Sequence, residues 1–292
     1  VSYGFEHEIA SFDLDLAGST FGAVAYAADA EAPSSCEGTA ADIPRIDQCP
    51  AVADGKNTNF PSGTDPRDFE VVLPTTYDAN KSYPLVFVYH GFGGTNTDML
   101  DGVGFRGRAD ADDVIIAAPQ GLESGNGATW NIATAAAQNI DVAFFDDMLK
   151  CISESFSVDD QRIYVTGMSN GGLMTGTLIA TRSDKIAAAA PFSGGISLPY
   201  VKTDSQPPTL VTYGGPTDMA FSQDFEKLAN DMVSELKTEG HFVVLCNHNQ
   251  GHHIEASYLP WAMQFLTDHS LGSAPAYTDP LPAVFPDYCS IQ

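Results

Sequence analysis

The sequence predicts an α/β protein built on a doubly wound, mostly parallel sheet with helices on both faces. From Phe69 onward, short runs of apolar and β-branched residues alternate with segments whose apolar residues repeat at helical spacing. Several of these runs are apolar throughout, which is typical of strands buried on both faces of a parallel sheet. Such alternation along most of the chain predicts this fold class.

The strands are the runs richest in apolar and β-branched residues. They are predicted at Phe69–Leu73, Leu85–Tyr89, Val114–Ala118, Arg162–Thr166, Ile186–Phe192, Thr209–Tyr213 and Phe242–Cys246. Helices are predicted where apolar residues recur every three or four positions. They are Val142–Phe156, Phe221–Leu236 and Tyr258–Asp268. We interpret the apolar stripes of these helices as core.

The two ends of the chain differ from the alternating region, which we place at residues 66–272. Residues 1–65 are rich in Ala, Asp, Ser and Gly and are predicted to be an extension with one or two edge strands, packed on the main body. Residues 273–292 contain several prolines and predict an extended strap across the surface, fixed by Cys289.

The charge balance excludes some classes of partner. Acidic residues outnumber basic ones 38 to 13, which gives a net charge of -25. A surface this negative repels phosphate backbones and anionic lipids, so we expect neither nucleic acid nor a membrane as partner. Strongly anionic substrates are also disfavoured. We find no apolar run of the ~20 residues that span a bilayer, and we expect a monomer.

The chain has five cysteines, more than most cytosolic proteins of this size retain. Cys36 and Cys49 lie in a loop-like stretch that suits a local disulfide bridge. Cys151, Cys246 and Cys289 remain, so at least one thiol is unpaired or bridged to another chain. This cysteine content favours a secreted or periplasmic protein.

Residues 165–172 read Val-Thr-Gly-Met-Ser-Asn-Gly-Gly, directly after a predicted strand and before the helical run Leu173–Ala180. A serine at the apex of such a tight turn needs small residues two positions to either side, because the helix must pack back on the strand. Gly167 and Gly171 meet that need. The motif predicts Ser169 as a nucleophile, and the alternative is a glycine-rich turn without chemistry.

A serine hydroxyl becomes a good nucleophile when an imidazole takes its proton and a carboxylate orients that imidazole. Asp218 follows the strand Thr209–Tyr213 and is the predicted acid; its alternative role is an N-cap for the next helix. The loop after the last predicted strand reads Cys-Asn-His-Asn-Gln-Gly-His-His at 246–253. We predict His252 as the base, because the preceding glycine lets the loop swing, with His253 as the alternative.

Other histidines are assigned no part in this chemistry. His248 is judged too close to the strand end, and His7, His241 and His269 are predicted to be surface or capping residues. Two backbone N–H groups should stabilise a developing oxyanion. We predict those of Asn170 and of Phe92, in the loop His-Gly-Phe-Gly-Gly at 90–94. His90 is predicted to be a structural residue of that loop rather than a base.

Four segments together resemble the polyhydroxybutyrate-depolymerase and feruloyl-esterase group of α/β-hydrolases. They are Tyr83–Gly91, Ala118–Gly121, Gly167–Gly172 and Gly251-His252, and the match covers about Arg67–Asp268. The resemblance implies an α/β-hydrolase catalytic domain at 66–272. It also implies that the serine, aspartate and histidine at 169, 218 and 252 form the catalytic triad.

The chain departs from this family before the acid turn and after the histidine. Gly214-Gly215 stands where relatives often have His-Gly, and His253-Ile254-Glu255 stands where they often have Trp-Pro, so the leaving-group side of the site is expected to differ. Trp130 lies in a loop that flanks the acyl pocket in relatives. We predict it as a substrate-binding residue whose exposed indole stacks on an aromatic acid or a polymer segment; the alternative is core packing.

These observations predict a secreted serine esterase that works through an acyl-enzyme and needs no metal or organic cofactor. The expected partner is an ester substrate, either small or polymeric. Feruloyl or acetyl esters of plant polysaccharide are favoured, with a polyhydroxyalkanoate or related polyester as the alternative. A different class of hypothesis is a catalytically inactive binding module on the same scaffold, and a peptidase is a weaker one.

Overall fold

The computed structural model describes residues 43–134, 136–198, 200 and 205–292. Within them the strands are β1 (Gly55–Ser62), β2 (Asp65–Val72), β3 (Tyr83–Tyr89), β4 (Ile115–Pro119), β5 (Leu122–Glu123), β6 (Ala128–Thr129), β7 (Val158–Met168), β8 (Ala188–Phe192), β9 (Thr209–Tyr213), β10 (Met219–Ala220), β11 (Gln223–Asp224), β12 (Val243–Asn247) and β13 (Cys289–Ile291). The α-helices are α1 (Arg106–Asp112), α2 (Ile140–Ser155), α3 (Asn170–Arg182), α4 (Phe225–Thr238) and α5 (Leu259–Thr267). Shorter helical turns occupy Asp98–Val103, Ala136–Gln138, Gly215–Thr217 and Ala256–Tyr258.

A nine-stranded sheet organises the described part of the chain, in the order β1-β2-β4-β3-β7-β8-β9-β12-β13. Neighbouring strands from β4 to β12 in this order run parallel, and β1, β2 and β13 add antiparallel edges. Two small hairpins, β5–β6 and β10–β11, stand apart from this sheet. The predicted α/β fold class with a mostly parallel sheet is confirmed.

Hydrophobic residues pack on both faces of the sheet because successive side chains of a strand point to opposite sides. In β3, Leu85, Phe87 and Tyr89 join one core cluster, which also contains buried residues of α2, α3 and α4. Val86 and Val88 join a second cluster with buried residues of α1 and α5. The central strands therefore have no polar face, which explains why their sequences are apolar throughout.

The observed elements differ from the predicted ones mainly at their ends. Each of the seven predicted strands is present, and Thr209–Tyr213 has the predicted bounds. The helix predicted from Phe221 begins only at Phe225, where Asp224 caps it by accepting a hydrogen bond from the Lys227 N–H at 2.9 Å. β1 lies within the predicted N-terminal extension, 1–65; residues 1–42 lie outside the described residues, so the rest of that extension stays a prediction.

The predicted Cys36–Cys49 bridge is wrong, because the sulfur of Cys49 is bonded to Cys151 of α2. Cys36 itself lies outside the described residues. A second disulfide joins Cys246 to Cys289, which are directly paired in the register of β12 and β13. The C-terminal segment is thus held to the sheet edge through Cys289. In the described ranges, every helix is too short or too polar to traverse a bilayer.

Candidate active site

Ser169 lies in the tight turn that joins β7 to α3, at the centre of the sheet. Its backbone has φ 59° and ψ −120°, a strained combination for a residue with a side chain. Such a turn lifts the serine side chain above the carboxyl ends of the parallel strands. The glycine-rich segment is therefore a strand–turn–helix elbow with Ser169 at its apex.

The glycines around Ser169 are required by close backbone contacts. A Cβ atom at Gly171 would lie 2.2 Å from the carbonyl oxygen of Tyr89, and one at Gly167 would lie 2.6 Å from the carbonyl oxygen of Gly171. Neither distance is possible for a real side chain. Helix α3 can therefore begin directly against β3 and β7 only because these two positions carry no side chain.

Three side chains from three loops form one hydrogen-bonded series at this edge. The Oγ atom of Ser169 lies 2.9 Å from Nε2 of His252, in the loop after β12. Nδ1 of His252 lies 2.6 Å from Oδ1 of Asp218, in the turn after β9. The structure thus brings together the three residues that the sequence predicted as nucleophile, base and acid. In this arrangement Nδ1–H donates to the carboxylate, which leaves Nε2 free to accept the serine proton.

Asp218 accepts hydrogen bonds from other groups besides the imidazole of His252. Its carboxylate is 1 % exposed, and Oδ2 accepts hydrogen bonds from the Ser193 hydroxyl at 2.8 Å and from the Gly214 N–H at 2.7 Å. The alternative role, an N-cap of α4, is filled by Asp224 instead. Sequence reasoning missed Ser193. The signal for it was its place directly after β8, on the same sheet edge as the other loops.

The other histidines of the described ranges make no hydrogen bond to the Ser169 hydroxyl. Nε2 of His253 lies 3.2 Å from the hydroxyl oxygen of Tyr258. His248 is buried beside His253, and this burial with the neighbouring imidazole lowers its pKa to about 4.

His241 and His269 are buried rather than at the surface, and His7 lies outside the described residues. His269 donates from Nδ1 to the carbonyl of Phe265 in the last turn of α5, so it does cap a helix end. His241 hydrogen-bonds the carbonyl of Pro207 and the Tyr200 hydroxyl.

The loop after β3 lies directly against the elbow. A Cβ atom at Gly91 would be 3.5 Å from the Cβ of Ser169. The next backbone N–H, that of Phe92, donates no hydrogen bond to any described residue. Asn170 is the first residue of α3, where a backbone N–H has no acceptor in a preceding helical turn. The two N–H groups predicted to bind an oxyanion thus lie in segments next to Ser169, and neither donates a hydrogen bond to a described residue.

His90 is fully buried beneath this loop. Its Nδ1 donates to the Gly91 carbonyl at 2.7 Å, and its Nε2 accepts from the Gly121 N–H at 2.9 Å. Burial lowers the pKa of this imidazole, which keeps it neutral and able to accept. His90 thus fixes the shape of the loop, which is the structural role expected for it.

The prediction of an exposed Trp130 indole is wrong, because this side chain is 2 % exposed and packs edge-on against Tyr89. A buried ring cannot stack on a substrate. Instead, the indole N–H donates to the His90 carbonyl at 2.8 Å, and the backbone N–H donates to Oδ1 of Asn170, also at 2.8 Å. Trp130 therefore links the two segments that carry the available N–H groups.

A family model described as "Putative esterase" matches residues 62–262. Feruloyl esterase D of Neurospora crassa is 28% identical over 156 residues, which are 50% of this chain and 51% of that protein. A probable feruloyl esterase C of Aspergillus niger is 31% identical over 151 residues, 49% of this chain and 53% of that protein. The chain thus spans about half the length of these relatives.

Solved structures extend the likeness over more of the chain. Native pOPH superposes with a TM-score of 0.68 at 20% identity, covering 84% of this chain and 96% of that one. A ferulic acid esterase of Anaeromyces mucronatus, solved with ferulic acid, superposes with a TM-score of 0.51 at 17% identity, covering 73% and 89%. At these identities the likeness shows the fold. With the match of the family model, the chain belongs to the esterase family and has the α/β-hydrolase fold.

Proposed function

We propose that this chain is a secreted or periplasmic serine esterase that hydrolyses carboxylic esters through an acyl-enzyme. The observation that carries the proposal is the hydrogen-bonded series from Ser169 through His252 to Asp218, with distances of 2.9 Å and 2.6 Å. Two disulfides in the described residues support an oxidising compartment.

The first half of the reaction acylates the serine. Ser169 Oγ bonds to the ester carbonyl carbon while its proton moves to Nε2 of His252. Asp218 keeps Nδ1–H oriented and stabilises the imidazolium that forms. The N–H groups of Phe92 and Asn170 bind the oxyanion. The tetrahedral intermediate then collapses, and the alcohol leaves with the proton from Nε2.

The second half releases the acid. Water gives a proton to Nε2 and attacks the acyl carbon, and the new intermediate expels Ser169 Oγ, which recovers its proton from the imidazolium. The proposed substrates are neutral esters, because the net charge of -25 disfavours anionic ones. Feruloyl or acetyl esters of plant polysaccharide are the favoured class, which the feruloyl esterases among the relatives support.

The test compares Ser169→Ala with Ser153→Ala, a change at an exposed serine of α2. We expect wild type and Ser153→Ala to release p-nitrophenol from p-nitrophenyl acetate and to be labelled by a fluorophosphonate. Ser169→Ala should do neither, with an unchanged circular dichroism spectrum. Unlabelled wild-type protein would favour an inactive binding module.

A second experiment compares the rates of hydrolysis of methyl ferulate, acetylated xylan and polyhydroxybutyrate, which distinguishes the substrate classes.

A further inference from the structure

The hairpin β10–β11 begins at the residue after Asp218 and turns at Phe221 and Ser222. Met219 pairs with Asp224 and Ala220 with Gln223, so these two residues form the whole turn. Both have left-handed backbones, with φ 49° at Phe221 and φ 63° at Ser222. Two-residue turns of this kind favour Asn and Gly, because other side chains are strained there. An aromatic residue at the first position opposes the local backbone preference.

The hairpin also exposes apolar surface. Phe221 is 80 % exposed and Met219 is 49 % exposed; of the described residues, only Val284, at 40 %, is another exposed large hydrophobic residue. A strained backbone that presents a solvent-exposed ring points to a function rather than to stability.

The ring of Phe221 lies at the edge of the candidate active site. It packs edge-on against the ring of Phe92 at 5.3 Å between centroids. Phe92 belongs to the loop beside the elbow, where a Cβ atom built at Gly91 would lie 3.5 Å from the Cβ of Ser169. On the other side, the hairpin is attached to Asp218, and α4 begins with Phe225, whose ring lies 4.4 Å from the imidazole of His252. The ring therefore borders the site between its oxyanion loop and its acid.

We propose that Phe221, with Phe92, forms an aromatic wall that contacts an aromatic ring of the ester substrate. This inference rests on the proposed esterase function. Edge-on and offset contacts with a phenyl ring are favourable beyond simple burial, and a ligand ring would cover surface that water now covers. The pair gives the site a preference for aromatic over small aliphatic esters, while the chemistry at Ser169 is the same for both.

The test measures kcat/KM for three neutral esters. Methyl acetate has no ring, methyl ferulate has one in the acid, and phenyl acetate has one in the alcohol. In Phe221→Ala we expect methyl acetate hydrolysis to be unchanged within a factor of about two. We expect a loss of about fivefold to tenfold for at least one aromatic ester, the size of one aromatic contact. Val284→Ala is the matched control and should leave all three values unchanged.

Two further variants separate substrate contact from folding. Phe221→Tyr keeps the ring and should keep the aromatic preference. The double change Phe221→Asn with Ser222→Gly relieves the turn; it should not lower the melting temperature, yet should lose the preference as Phe221→Ala does.

The outcomes test the position of the substrate ring separately from the proposed esterase function. A loss for methyl ferulate places the substrate ring on the acid side, and a loss for phenyl acetate places it on the alcohol side. Equal effects on all three esters, or none, would overturn the aromatic wall while the esterase function holds. A wild-type protein that hydrolyses no ester would instead overturn the proposed function.

Discussion

Trp130 is a buried side chain whose hydrogen bonds connect two segments beside Ser169. Its indole N–H holds the carbonyl of His90, two residues before Phe92, and its backbone N–H holds the side chain of Asn170. The two proposed oxyanion donors belong to different elements, and their spacing decides how well they bind developing charge. We therefore infer that Trp130 positions that pair.

We expect Trp130→Phe to lower kcat about tenfold and to change KM less than twofold. Phenylalanine fills most of the space but leaves the buried His90 carbonyl without its donor, so the loop can shift. Loss of a whole oxyanion donor costs about 10²–10³ in kcat, so a displaced donor should cost less. Steady-state kinetics on p-nitrophenyl acetate gives both constants.

The second tryptophan of the chain provides the control for this change. Trp261 is also buried, but its indole N–H donates no hydrogen bond to another described residue. Trp261→Phe should therefore leave kcat unchanged. A trifluoromethyl ketone, which forms an oxyanion on the serine, should bind more weakly to Trp130→Phe than to Trp261→Phe. Equal affinity for the two variants would contradict the positioning role.

The glycine-rich motif and the order of strands along the chain pointed to Ser169, Asp218 and His252, because each follows a strand whose carboxyl end faces the same sheet edge. Ser193 also follows a strand of this sheet, but its bond to the Asp218 carboxylate could not be predicted from that position, and neither could the actual role of Trp130. Ser193 matters through a contact with a carboxylate 25 residues away, and Trp130 through bonds to residues about 40 positions distant. Neither partner leaves a local pattern in the sequence.

At the scale of elements, the elbow depends on glycine at position 171. We expect Gly171→Ala to lower the free energy of unfolding by about 3 kcal/mol or more, because the new methyl group would overlap the Tyr89 carbonyl and the backbone must move. Urea denaturation followed by circular dichroism measures the change.

Gly107→Ala is the matched control for this substitution. Gly107 lies in α1, and a Cβ there would meet nothing within 4 Å. Alanine has a higher helix propensity than glycine, and position 107 lies in the first turn of α1, so this variant should lose no stability. If both variants had similar stability, close contact at the elbow would not explain its glycines.

The bounds of elements could be predicted where burial imposed a pattern, and could not where it did not. The central strands are apolar because both faces are covered, and their sequences show it. β1 reads Gly-Lys-Asn-Thr-Asn-Phe-Pro-Ser, an edge strand with few buried positions and therefore little periodicity. The predicted helix wrongly includes the turn and second strand of the β10–β11 hairpin, because Phe221-Ser222 lacks the residues that normally mark such a turn.

At the scale of the whole molecule, the pH dependence of stability involves several buried histidines as well as the many carboxylates. His90, His241, His248 and His269 are all buried, and burial lowers the pKa of each. They are therefore neutral in the folded chain at a pH where the unfolded chain would begin to protonate them. Acidification should favour the unfolded state through these groups before most carboxylates titrate.

His248 allows this effect to be measured at one site. Its folded pKa is about 4, below the ordinary value of 6.5, so the unfolded chain binds more protons between these two values. Its stabilising contribution is complete above pH 6.5 and is lost as the pH falls towards 4. From pH 7 to pH 5 the wild type should lose about 1 to 2 kcal/mol through this residue alone.

His248→Gln keeps a polar side chain of similar size that does not titrate, so we expect the variant to lose less stability over the same interval. Asp218, His253 and Glu255, whose charges act on His248, are present in both proteins, as is the repulsion among surface carboxylates. The change in the free energy of unfolding between pH 7 and pH 5 is measured in each protein. Subtracting the value for the variant from that for the wild type therefore gives the contribution of the imidazole. Urea denaturation at both pH values gives it. Equal losses in the two proteins would mean that His248 is as easily protonated in the folded chain as in the unfolded one.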